Sequence, residues 1–147
     1  ELDFIENYIR IQQVRFGERL KFVKNIEPTC LSVEIPPMVL QPLVENSVKY
    51  GIAPKDEGGT IELMVERRAE GIYFEITDDG LGKKAKKILD GKSTGIGLKN
   101  SDKRLTSIYG RRAGLQIHAR DDGYTVSFIL PLNNVITEQK EVAAAAK

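Results

Sequence analysis

The chain has 147 residues, 41% of them hydrophobic and 29% charged, with 22 basic against 21 acidic side chains and a net charge of +1. That length suits one domain with a core of its own, and that composition excludes a disordered chain. The near-even charge gives no reason to expect nucleic acid or an anionic membrane as a partner. A single cysteine, Cys30, rules out an internal disulfide and fits a reducing, cytoplasmic setting; it reads as packed rather than reactive. One cysteine and one histidine, His118, are too few for a structural zinc site. No apolar run approaches the ~20 residues of a membrane span, and no secretory signal is present. The opening ELDFIENYIRIQQ has no methionine and starts inside a helical pattern, so the chain reads as a piece of something larger.

Leu2, Ile5, Ile9 and Val14 recur at roughly helical spacing and predict a helix over residues 2–16. RLKFVKNI (19–26) alternates Leu20 and Phe22 with lysines and predicts a half-buried strand, interrupted by Pro28. In PPMVLQPLVENSVKYGI (36–52), Val39/Leu40, Leu43/Val44 and Val48 repeat every four residues and predict a helix. Pro36 and Pro37 suit its start and Gly51 its end. Pro42 looks out of place there, because an interior proline loses a hydrogen bond and kinks a helix. TIELMVERR (60–68) and GIYFEITDDG (71–80) alternate cleanly, with Ile61, Leu63, Val65 and Ile72, Phe74, Ile76 on one face of each; a short turn makes them an antiparallel hairpin. Residues 80–97 are glycine-rich and basic and read as a mobile loop. A helix follows over 97–110 through Leu98, Leu105 and Ile108, then strands over 113–120 and 124–132 joined by a turn at Asp121, Asp122 and Gly123. The last residues, 135–147, read as a frayed or weakly helical tail.

Strands in neighbouring pairs with helices between the pairs favour an α+β fold, a mixed and mostly antiparallel sheet with helices on one face. The stretch DGKSTGIGLKN (90–100) tests this reading, because its GKS imitates a P-loop. A P-loop needs another glycine five residues before the first, and Lys86 stands there; the preceding KKAKKILD is no buried strand either. The dinucleotide fingerprint fails too, since GLGKKA (80–85) lacks its third glycine.

Three other segments carry chemistry. In ENSVKY (45–50), Asn46, Lys49 and Tyr50 stand at i, i+3 and i+4 and share one helical face beside the apolar stripe. An amide, an ammonium and a phenol there suit a metal, phosphates and a flat base. In DDGLG (78–82), Asp78 continues the inward face of the strand two places after Ile76, so its carboxylate needs a donor, for which an exocyclic amine would serve. Gly80 and Gly82 let the backbone fold tightly beside a ligand. In TGIGLKN (94–100), Gly95 and Gly97 open a helix whose free amides favour anions.

At these residues the chain resembles the ATP-binding superfamily of gyrase, heat-shock chaperones, histidine kinases and MutL. ENSVKYG is similar to the superfamily's asparagine box, DDGLG to its first glycine box and GIGL to its second. LQPLVENSVKYGI and GIGLKNSDKRL resemble the LytS-type sensor histidine kinases more closely, and the opening ELDFIENYIRIQQVRFGERL resembles that family's segment just before its ATPase fold. The resemblance covers residues 1–134, with 1–18 a leading helix from the preceding segment and 135–147 a tail.

The resemblance implies a Bergerat-type two-layer fold that binds ATP with Mg²⁺. It implies that Asn46 holds the metal, Lys49 touches phosphate, Tyr50 lines the adenine or ribose, and Asp78 accepts from the adenine amine. Gly80 and Gly82 would shape the pocket wall. Thr94, Gly95, Gly97 and Leu98 would stand beside the phosphates, Arg104 would reach the γ-phosphate, and Glu45 would position metal or water. The gyrase branch has a catalytic glutamate where this chain has Pro42, which counts against hydrolysis by activated water. The third box, usually Gly-Thr, reads Gly123-Tyr124. Lys83, Lys84, Lys86 and Lys87 in the short lid read as a solvated loop. His118 lies mid-strand, the wrong element for a phosphoacceptor, so the acceptor histidine is expected upstream. The implied partners are upstream dimerisation and phosphoacceptor helices of the same parent and a response regulator. The parent is expected to be a membrane-bound homodimer, with this part a soluble, cytoplasmic monomer. The rival readings are an anti-sigma-type serine kinase, a non-catalytic nucleotide sensor, and a water-activating ATPase.

Overall fold

The computed structural model describes residues 1–84 and 96–131. The expectations for the lid lysines Lys86 and Lys87, for Thr94 and Gly95, and for the tail lie outside the described residues. In chain order the elements are α1 (Leu2–Phe16), β1 (Leu20–Ile26), α2 (Leu40–Asn46) continued by a π-helical stretch (Ser47–Ile52), β2 (Gly59–Arg68), β3 (Gly71–Asp78), α3 (Ile96–Tyr109), β4 (Gln116–Arg120) and β5 (Gly123–Pro131). The five strands form one sheet in the order β1-β2-β3-β5-β4. β1 runs parallel to β2 because the α2 crossover separates them, and the remaining pairs are antiparallel. The fold is the expected α+β arrangement, a mixed sheet with its helices on one face.

The strand alternation sets which face is covered. Leu63 pairs with Ile76 and Val65 with Phe74 across β2 and β3; Ile76 pairs with Val126 and Phe74 with Phe128 across β3 and β5. These rows are buried, and the Phe74 and Phe128 rings stack with centroids 4.7 Å apart. Over them lie Ile5 and Ile9 of α1, Leu43 and Val44 of α2, Ile52 of the π-helical stretch and Leu105 of α3, in one continuous core. Val14, expected inside, is 90% exposed. It lies five residues beyond Ile9, about 140° around the helix, whereas the buried Phe16 is seven beyond and only about 20° away.

The central helix differs from the expectation at both ends. It starts at Leu40 rather than at Pro36, because Met38 has φ +63°, which no right-handed helix admits. Pro42 is therefore the third residue of α2. Its missing N–H belongs to the first turn, where an N–H has no partner within the helix, so it neither breaks nor kinks anything. At the far end Gly51 does not stop the helix; the chain stays helical to Ile52 with π-type bonding, as in the 2.8 Å bond from Ala53 N to Val48 O. The fourth strand begins at Gln116, not at 113, since Arg111–Ala113 forms a 3-10 turn first.

Candidate functional site

Asp78 ends β3 on the inward face and is 1% exposed. Its Oδ1 accepts a 3.0 Å hydrogen bond from Gly80 N, while Oδ2 is buried with no partner. Burial pushes the carboxyl up to about 6; the Gly80 N–H and the Ser47 side chain pull the other way, Asp79 adds to the rise, and Arg120 opposes it. The cradle around this carboxylate is made of glycines. A Cβ on Gly51 would stand 2.7 Å from Asp78 Oδ1, and one on Gly80 would run into the Gly51 carbonyl. Leu81 N donates to that same carbonyl at 3.3 Å. Gly82 has φ +56° and packs on the Arg120 carbonyl, and Gly123 packs on the Asp78 carbonyl, so the turn after β3 is pressed between the central helix and the β4–β5 turn. Asp79 fastens it from outside: its Oδ1 accepts from Thr60 N at 2.6 Å and its carbonyl accepts from Lys55 Nζ at 2.8 Å.

Asn46, Lys49 and Tyr50 follow on the same helix. Asn46 and Tyr50 are half-buried and Lys49 is exposed, with its Nζ 5.2 Å from the Tyr50 ring centroid, a cation–π distance. The shared-face spacing assumed an α-helix. From Ser47 onward the helix is π-type and its turns are wider, and Gly51 is turned against Asp78. This turn carries the Asp78 contact. Ser47, also on it, is buried and acts on the Asp78 carboxyl. Glu45 accepts from Gln41 Nε2 at 3.0 Å and lies toward α1, where the Tyr8 phenol is raised first by burial and then by the Glu45 charge.

The start of α3 meets the other end of the same helix. A Cβ on Gly97 would be 3.3 Å from Pro42 Cβ, and Leu98 is half-buried against the core. Arg104 donates to the Pro37 carbonyl, and Ser101 Oγ donates to the Val39 carbonyl at 3.1 Å. Pro42 and Gly51 are nine residues apart, roughly 13 Å along the axis. Asn46 lies between them, so the three sequence segments converge along one helix, with the acidic end at Gly51 and the helix-opening glycine at Pro42.

Sequence reasoning missed two contributors and had a third, Tyr124, only as a departure in the third box. Gly51 was read as a terminator, yet a glycine inside a helix costs about 1 kcal/mol and calls for a packing reason. Ser47 gave no signal beyond its neighbours. Tyr124 is the in-register partner of Asp78, half-buried, with its phenol raised by burial and then by the Asp78 charge; only the strand pairing reveals that proximity. His118 lies on β4 and is exposed, and Cys30 is buried, both as expected. Among the described residues no three His, Cys, Asp or Glu side chains converge to hold a metal unaided, and no helix is long and apolar enough to cross a membrane.

Residues 36–134 match the family described as histidine kinase-, DNA gyrase B-, and HSP90-like ATPase. Among curated proteins the chain is similar to the sensor protein LytS of Oceanobacillus iheyensis, 33% identical over 91% of this chain and 25% of that protein. It is also similar to the sensor histidine kinase YesM of Bacillus subtilis, 30% identical over 92% of this chain and 24% of that protein. The chain thus spans about a quarter of the length of these relatives. Its fold is similar to the histidine kinase domain of a blue-light activated histidine kinase from Erythrobacter litoralis, with a TM-score of 0.63 at 14% identity over 92% of this chain and 62% of that one. The catalytic domain of histidine kinase ThkA gives a TM-score of 0.60 at 19% identity over 88% of this chain and 93% of that one. Matched by that family over residues 36–134, the chain belongs to the histidine kinase-, DNA gyrase B- and HSP90-like ATPases, and across most of its length it is similar to LytS sensor proteins.

Proposed function

We propose that the chain is the Mg-ATP-binding catalytic domain of a two-component sensor histidine kinase, serving a phosphoacceptor histidine on upstream helices of the same parent. The observation that carries this reading is the Asp78 carboxylate, buried with one oxygen free in a glycine cradle at one end of the Asn46 helix. A buried acceptor without a donor is costly, and an adenine amine is a donor of the right kind. Gly51 and Gly80 bring the backbone so close that a side chain at either would collide with the carboxylate or with the Gly51 backbone. Asn46 offers one neutral oxygen, which suits a magnesium ion that takes the rest of its ligands from phosphates and water. Gly97 and Leu98 open α3 at the opposite end, where backbone amides favour anions, and Lys49 adds a cation beside Tyr50. Thr94 and Gly95 belong to the same phosphate end in this reading, Arg104 stands behind it on α3, and Glu45 next to Asn46 is the candidate for orienting metal or acceptor.

Bound Mg-ATP supplies the transferable γ-phosphoryl group. The chain's own residues bind and orient it: Asp78 fixes the base, Asn46 the metal, and the start of α3 the phosphates. Phosphoryl transfer depends chiefly on such positioning and charge stabilisation. The acceptor histidine would lie upstream in the same parent, a membrane-bound homodimer, and a response regulator would take the phosphoryl group from it; residues 1–134, the part assigned to the catalytic domain, would face the cytoplasm.

Two measurements test the proposal. Calorimetric titration should show binding of Mg-ATP in preference to Mg-GTP. Mixing the domain with its parent's upstream helices and labelled ATP should produce an acid-labile phosphohistidine. Absence of Mg-ATP binding refutes the reading outright; binding without transfer points to a nucleotide sensor, and an acid-stable phosphoserine on a partner points to a serine kinase.

A further inference from the structure

Helix α2 has no local N-cap. Val39 occupies the capping position and makes no side-chain hydrogen bond, although the first N–H groups of a helix need acceptors from outside it. The acceptor comes from a different helix. Glu1, at the head of α1, receives hydrogen bonds from Leu40 N at 2.8 Å and from Gln41 N at 2.9 Å on the same oxygen, Oε1. The next residue, Pro42, has no N–H to satisfy, so one carboxylate oxygen answers every free donor in the first three positions of the helix. The negative charge also suits the positive end of the helix dipole.

This is an expensive way to cap a helix. Glu1 Oε2 is buried without a hydrogen bond, and a desolvated carboxylate oxygen costs free energy. A serine, threonine or aspartate next to the helix would do the same task with water on its other side. What Glu1 adds is a tie between two helices that are 39 residues apart in the chain at the bond to Leu40. The same end of α2 is held from its other side by α3, through Ser101 Oγ on the Val39 carbonyl and Arg104 on the Pro37 carbonyl. The segment 37–42 is therefore a node where α1, the Asn46 helix and the helix-opening glycine of α3 are fastened together.

We infer that Glu1 is a positioning residue, which locks α1 to the Asn46 helix so that a displacement of α1 is transmitted to the nucleotide site. The functional consequence rests on the Mg-ATP reading; the mechanical one does not. A movement of α1 that withdraws the carboxylate frees two N–H groups at the head of α2 and loosens the helix that carries both Asn46 and Gly51.

The test compares Glu1→Ala, Glu1→Gln and Glu1→Asp in the 147-residue chain by amide exchange and by Mg-ATP titration. Glutamine keeps an acceptor oxygen at the same reach, whereas aspartate is one methylene too short. In Glu1→Ala and Glu1→Asp, exchange at Leu40 and Gln41 should quicken about tenfold or more and Mg-ATP affinity should fall about fivefold, while β2 and β5 amides keep their protection. Glu1→Gln should stay within about twofold of the parent chain in both measurements. Unchanged exchange at Leu40 and Gln41 in Glu1→Ala overturns the inference, as does faster exchange with unaltered affinity, because a cap that merely steadies its helix behaves that way. Should Glu1→Ala fail to fold, the contrast between Glu1→Asp and Glu1→Gln decides the matter. If the parent chain itself binds no Mg-ATP, the proposed function fails instead. Glu1 is then judged on exchange across residues 43–52, which must quicken in Glu1→Ala but not in Glu1→Gln.

Discussion

Gly51 lies directly against Asp78: a Cβ at position 51 would stand 2.7 Å from Oδ1 and 2.9 Å from Cγ of that carboxylate. The helix that carries Asn46 and the strand that ends in Asp78 therefore touch through a glycine and a bare carboxylate. Nothing larger fits at Gly51 unless Asp78 moves. The contact fixes where the carboxylate points and keeps its second oxygen free.

Gly51→Ala should consequently act on both stability and binding. The added methyl forces Asp78 aside in a packed site, at a cost of about 1–3 kcal/mol in unfolding free energy. Base recognition should suffer more, because the displaced carboxylate no longer meets its donor. Thermal unfolding together with Mg-ATP titration checks this; a stable, fully binding Gly51→Ala would mean that the cradle is not where the base sits.

Asp78 gives a pH dependence whose sign is set by its raised pKa. Its carboxyl goes from 3.8 ordinarily to about 6 in the fold. The folded state thus holds the proton more tightly than the unfolded chain does. The stability associated with that proton is complete below about pH 3.8 and is lost as pH rises through about 6. The nucleotide-free protein should accordingly melt at a higher temperature at pH 5.5 than at pH 7.5. Asp78→Asn should flatten this dependence and stabilise the free protein at pH 7.5 by on the order of 2 kcal/mol. The same substitution should weaken Mg-ATP binding more than any other here, since a carboxylate kept ionised at a cost to the fold is kept for its ligand. Affinity of the parent chain should fall as pH drops below about 6, opposite in sense to its stability.

Asn46→Ala removes one neutral oxygen from a half-buried position and should leave the fold almost unchanged. Binding of Mg-ATP should weaken by roughly 1.5–3 kcal/mol, the usual worth of a hydrogen bond or ligand contact to a charged partner. ATP titrated without magnesium should be affected much less. Equal losses with and without the metal would remove Asn46 from the metal site.

Phe74→Ala tests the core rather than the site. Phe74 is buried on β3 and stacks on Phe128 of β5, so the substitution should cost about 3–5 kcal/mol in unfolding free energy. Denaturant unfolding of the free domain measures it.

Much of this was readable from local pattern. Alternation in Ile61, Leu63 and Val65 and in Ile72, Phe74 and Ile76 determined two strands and their buried face, and extending it by one step placed Asp78 inside. The spacing of Leu40, Leu43 and Val44 determined the central helix and hence a surface on which Asn46 is displayed. These features depend on residues a few places apart, where backbone periodicity alone decides which side chains share a face. The failures begin where a residue's partner is distant. Gly51 read as a stop because a helical glycine usually is one; its reason is Asp78, on another element. Pro42 looked awkward to helical periodicity, and only the family resemblance accommodated it, because the head of the helix is set by Met38 and capped from Glu1, neither of which periodicity registers. The π-helical turn, the neighbourhood of Asp78 and Tyr124, and the node at residues 37–42 exist only once the sheet order has brought separate segments together. Sequence by itself determined the elements and the boxes, because those follow from local geometry. The tertiary structure alone decided which donors and acceptors were left without partners, because that depends on everything packed around them.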